Sequence, residues 1–108
     1  WTSAAAASRE AFAVPGVLRR SVELSYGRRP AEGYCQEMTM DLTVHAWDLA
    51  RAIGVDEKLD EELVSDVLAF IEPQVDQLAG SGLFAPPVEV ADDADAQTKL
   101  LALVGRRP

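Results

Sequence analysis

Residues Met40–Gly54 read MDLTVHAWDLARAIG, and their reading decides the fold. Leu42, Leu49 and Ile53, with Met38 just upstream, recur at helical spacing. Met40, Val44 and Trp47 form a second apolar line on another side. Two apolar lines predict a helix packed on more than one side, the central helix of an all-α fold. It is expected to run from Pro30, tolerated in a first turn, to Ile53, with Gly54 just past its end.

The same stretch holds the chain's single histidine, His45. Asp41 precedes it by four residues and Asp48 follows by three, so the three side chains share one helical face. Two donors at i and i+4 can chelate one divalent ion. Asp48 is then placed to accept the second imidazole N–H and fix the tautomer. The competing reading is a buried histidine filling the gap in the stripe and bonded to Asp41 or to another helix. Asp48 and Arg51 are also spaced for a surface ion pair. Trp47 reads as core.

Outward from this helix, Thr2–Val14 is alanine-rich and predicts a short helix that Pro15-Gly16 ends. Val22, Leu24 and Tyr26 alternate with polar residues, which predicts an extended segment before a turn at Gly27. Val88-Glu89-Val90 is expected as a short strand, a candidate partner for Val22–Leu24. A third helix is expected from Asp56 to Leu78. Acids crowd its start, where the helix dipole favours them, and Pro73 should kink or break it near Ile71-Glu72. After a loop over 79–91, Asp92 or Asp93 is expected to cap a last helix reaching Val104, with Gly105 ending it.

The 108 residues carry a net charge of −8, which argues against a nucleic-acid partner. Arginine pairs at 19–20, 28–29 and 106–107 read as solvated ends and loops. Cys35 is the single cysteine, so no intrachain disulfide can form and a cytoplasmic setting fits. It precedes His45 by ten residues, about 15 Å along one helix, too far for a nucleophile and its base. No apolar run is long enough to span a bilayer, and no phosphate-binding glycine loop or serine nucleophile motif occurs. The chain begins at Trp1, which suggests either a processed start or a piece of a longer protein.

MDLTVHAWDLARAIGVDEKLDEELV resembles the signature segment of the DinB-like helical-bundle superfamily, in its actinobacterial branch related to mycothiol-dependent maleylpyruvate isomerase. The ending LFAPPVEVADDADAQTKLLALVGRRP is similar to the ending of that branch, and the resemblance runs from about Val14 to Pro108. It implies a four-helix bundle holding a divalent metal, zinc or nickel, through three protein ligands. Two of them map onto Asp41 and His45. The position of Asp41 is Glu in the isomerase, so its carboxylate sits one methylene shorter here. The third ligand, a histidine on amino-terminal helices, would precede Trp1. Residues 1–108 are therefore expected to form one domain, a partial bundle with a short β-hairpin or strand pair.

The resemblance implies isomerase or S-transferase chemistry with mycothiol as thiol co-substrate, incomplete as an enzyme in this chain. A half-bundle exposes apolar surface, so a homo-oligomer or another chain supplying the missing helices is expected. A twofold dimer would bring two Asp41/His45 pairs together. The alternative is a non-catalytic helical domain for self-association or partner binding, with His45 in its core.

Overall fold

A computed structural model describes residues 1–108. The chain is mostly α-helical with one short β-hairpin. It falls into two compact units, Trp1–Thr39 and Met40–Pro108.

In the first unit, helix α1 spans Thr2–Ala13. Gly16 turns the chain with a φ of 77°, and a single 3₁₀ turn over Val17–Arg19 follows. Strands β1 (Ser21–Leu24) and β2 (Gly27–Pro30) pair antiparallel, with Val22 opposite Arg29 and Leu24 opposite Gly27. This corrects the expected pairing of Val22–Leu24 with Val88–Val90. A hairpin closed by Ser25 and Tyr26 fixes far less chain than a pairing some 65 residues apart. Val88 instead donates its N–H to the Ala102 carbonyl at 2.9 Å. On the hairpin, Glu23 pairs with Arg28 at 3.2 Å, and Tyr26 donates its hydroxyl proton to Glu37. Phe12 of α1 meets Tyr34 with ring centres 6.3 Å apart.

Helix α2 runs Ala31–Ile53, close to expectation. Its first residues belong to the first unit, and Met40 onward to the second. Gly54, at a φ of 71°, ends it: the Gly54 and Val55 N–H groups bond back to the Arg51 and Ala50 carbonyls. Helix α3 spans Glu61–Ile71, a 3₁₀ turn covers Glu72–Gln74, and helix α4 spans Val75–Gly80. The break falls where Pro73 removes a backbone donor. The expected start at Asp56 is corrected to Glu61. The Gln97 side chain straps the preceding segment, donating to the Glu57 carbonyl at 3.0 Å and accepting from the Leu59 N–H at 2.9 Å. Asp60 then caps α3 by accepting from the Leu63 N–H at 2.9 Å.

Helix α5 spans Ala96–Leu103. Its cap is Asp95, which accepts from the Thr98 N–H at 2.8 Å, not Asp92 or Asp93. Those two lie in the preceding turn, where the Ala94 N–H bonds to the Ala91 carbonyl. The core of this unit joins Met40 and Val44 of α2, Val64, Val67 and Ile71 of α3, and Leu100 with Val104 of α5 and its end. Ile71, Leu100 and Val104 are fully buried, each contributing roughly 1.5–3 kcal/mol of burial.

One of the two apolar lines of α2 is in this core and the other is not. Met40, Val44 and Trp47 are 7, 1 and 4% exposed, whereas Leu42, Leu49 and Ile53 are 57, 60 and 62% exposed. Packing on two sides, expected from the sequence, is therefore corrected to packing on one. No helix is long and apolar enough to cross a membrane.

Candidate functional site

The titratable row singled out in the sequence lies on the uncovered face of α2. A helix places Asp41, His45 and Asp48 in one row, and the structure keeps them together. His45 Nε2 lies 3.4 Å from Asp41 Oδ1, and Nδ1 lies 3.1 Å from Asp48 Oδ2. The imidazole stands between two carboxylates, with its side chain 59% exposed. The reading of His45 as a core residue is corrected: the core runs along the Met40–Val44–Trp47 line, and His45 is on the opposite one.

The two contacts differ in kind. The 3.1 Å separation is an ordinary hydrogen bond, with Nδ1–H donating to the carboxylate. The 3.4 Å separation is longer than a good N–H···O bond. It matches the distance between two donors of a tetrahedral ion, since two bonds of about 2.05 Å at the tetrahedral angle hold their atoms about 3.4 Å apart. A ring carrying a single proton, on Nδ1, would turn its Nε2 lone pair toward Asp41 Oδ1. A cation held between them would relieve that opposition.

Asp48 is itself held, by a residue that composition suggested was a solvated end. Arg106 donates Nε–H to Oδ1 at 3.1 Å and Nη2–H to Oδ2 at 2.7 Å. The side chains of this fork are only 21% (Arg106) and 34% (Asp48) exposed. The Arg106 fork holds the Asp48 carboxyl below the usual aspartate range; burial opposes it, and the His45 hydrogen bond adds a smaller lowering of its own. Sequence spacing missed Arg106 because the contact joins residues far apart in the chain. The available signal was Gly105, a helix-ending glycine immediately before an arginine.

The expected Asp48–Arg51 pair is corrected too. Once Gly54 reverses the chain, Glu57 comes under Arg51, whose Nη2 lies 2.8 Å from Glu57 Oε2. Arg51 also donates to the Arg107 carbonyl at 2.8 Å and stacks 4.3 Å above the Trp47 ring. Thus Asp48 is left to Arg106. Cys35 is partly buried.

No group of three His, Cys, Asp or Glu side chains converges to hold a metal. The residues present fit two positions of a coordination sphere, with the others open. Elsewhere an open recess of about 630 Å³ lies between the Asp56–Val64 segment and the start of α5. Its central amide, Gln97, is already used by the backbone of Glu57 and Leu59, so we assign the recess no role.

No protein-family model and no solved structure matches the chain. The sequence is 35% identical over 106 residues to two proteins of Mycobacterium tuberculosis, the uncharacterized protein MT0763 of strain CDC 1551 and the uncharacterized protein Rv0738 of strain H37Rv. The match takes in 96% of this chain and 58% of each relative. The chain thus spans little more than half the length of the curated relatives it resembles.

Proposed function

We propose that the exposed face of α2 is half of a divalent-metal site, with Asp41 Oδ1 and His45 Nε2 as two ligands of zinc or nickel. The 3.4 Å separation of those atoms carries the reading, and the resemblance to DinB-like proteins supports it. Two ligands are fewer than the three protein donors of a catalytic zinc site, so this chain alone is a half-site rather than a complete enzyme. A bound ion would acidify a coordinated low-molecular-weight thiol such as mycothiol and hold it ready for S-transfer or isomerisation. Asp41 and His45 would hold the ion, while Asp48 keeps the ring turned. A cytoplasmic setting belongs to the same reading, supported by the lone Cys35.

Metal titration of the chain, beside Asp41→Ala and His45→Ala, tests the reading. Binding lost in both folded variants is the expected result. Binding that survives His45→Ala, or no binding by the parent chain, would sink it.

The exposed Leu42, Leu49 and Ile53 favour a second reading, a helical module whose α2 face is covered by a second copy. Sedimentation should then show a dimer that Leu42→Ser with Leu49→Ser dissociates. A parent chain monomeric at high micromolar concentration would rule it out.

A further inference from the structure

We propose that Arg106 is a positioning residue for His45, acting through Asp48 to keep the imidazole proton on Nδ1 and to leave the Nε2 lone pair facing Asp41. The inference deepens the half-site reading and rests on it for its purpose, although the geometry stands without an ion.

Three observations carry it. First, Asp48 Oδ2 serves both partners: it lies 2.7 Å from Arg106 Nη2 and 3.1 Å from His45 Nδ1. An aspartate on an open helix face can rotate away from its neighbour. One gripped at both oxygens by a planar guanidinium cannot, so its remaining acceptor direction is fixed on the ring.

Second, Arg106 is itself built in. Its Nη1–H donates to the Val104 carbonyl at 2.9 Å, and its guanidinium lies 5.9 Å from the Phe84 ring centre. The chain delivers it there through a helix-ending turn. Gly105 takes a φ of 78°, its N–H bonds to Ala102, and the Arg106 N–H bonds to Leu101, the paired pattern of a Schellman motif.

Third, the partner of one ring nitrogen decides which tautomer a histidine adopts, and so which nitrogen can ligate. An exposed imidazole with no such partner keeps most of its proton on Nε2. Here that would block the atom facing Asp41. Asp48 held by Arg106 reverses the preference.

The test uses the full chain, labelled with ¹⁵N, at a pH where the imidazole is neutral. With one histidine in the sequence, the imidazole nitrogen–proton spectrum contains one ring. The parent chain should show mainly the Nδ1–H form. Arg106→Gln should return the ring to an Nε2–H majority, and Arg106→Lys, which keeps the charge and loses the fork, should fall between. Asp48→Asn reads the same contact from the other side and should also lose the Nδ1–H excess. Nickel titration should then show affinity roughly tenfold lower in Arg106→Gln, the lower end of what partners behind a ligand contribute.

A folded Arg106→Gln with an unchanged tautomer ratio would overturn the proposal, as would a parent chain already in the Nε2–H form. Loss of fold in both Arg106 variants would also overturn it and make the arginine purely structural. A tautomer that follows Arg106 while the parent binds no nickel would leave the positioning role standing and reject the half-site.

Discussion

Arg106 and Asp48, 58 residues apart, are joined by a two-bond fork of 2.7 and 3.1 Å whose shared oxygen also accepts from His45. The first prediction follows from the effect of that fork on the carboxyl. Asp48 titrates lower in the folded chain than in the unfolded one. Between those two values the unfolded chain carries the extra proton, so lowering the pH there favours unfolding. The contribution is complete above the ordinary aspartate value and lost as the pH falls through the native one. With a third of the Asp48 side chain open to solvent, screening limits it to about 1 kcal/mol or less. Urea unfolding from about pH 5 to about pH 2 should therefore fall less steeply in Arg106→Gln than in the parent. Identical acid limbs would contradict the fork.

Gly105 should resist substitution more than Gly54. Both adopt positive φ, but an added Cβ at Gly105 meets Ala85 Cβ and O at 2.6 Å, whereas at Gly54 it meets nothing within 4 Å. Gly54→Ala should cost about 1–2 kcal/mol, the left-handed backbone strain alone. Gly105→Ala adds a backbone clash and should cost more than that by urea unfolding. Equal losses would mean that Ala85 can move aside.

Ile71 and Leu49 are similar in size and opposite in setting. Ile71→Ala should destabilise by about 2–5 kcal/mol, because it empties a closed core. Leu49→Ala should stay within about 0.5 kcal/mol in the dilute chain. A large loss at Leu49 at low concentration, vanishing on further dilution, would show that association had covered it.

Arg51 ties three parts of the second unit by touching Trp47, Glu57 and the Arg107 carbonyl. Arg51→Lys keeps the charge but neither the flat stack nor the fork. Its thermal midpoint should fall nearly as far as that of Arg51→Ala, with a changed Trp47 environment visible in tryptophan fluorescence. Full rescue by lysine would reduce the contact to simple charge.

Much of this was legible in the sequence because helices advertise themselves locally. Period, glycine stops and Pro73 placed α1, α2 and the break after α3 within a few residues. The row of Asp41, His45 and Asp48 follows from the helical repeat alone. What stayed hidden depends on distant chain. Both apolar lines of α2 have the same period, so only the docking of α3 and α5 decides that Val44 is covered and Leu42 is not. Asp95 won the cap of α5 over Asp92 and Asp93 because the Ala91–Ala94 turn comes first. The arginines at 51 and 106 took partners set by chain reversals at Gly54 and Gly105, which spacing along one helix does not register.

The distance along the chain between Asp48 and Arg106 makes the setting of the histidine a long-range property of the fold. Helix α2 can wind on its own, bringing Asp41, His45 and Asp48 into a row before the remaining residues contribute anything. The ring is held only when Arg106, 58 residues further along the chain, reaches Asp48. The setting of one exposed imidazole therefore depends on the docking of the chain that follows α5, and not on its own helix alone.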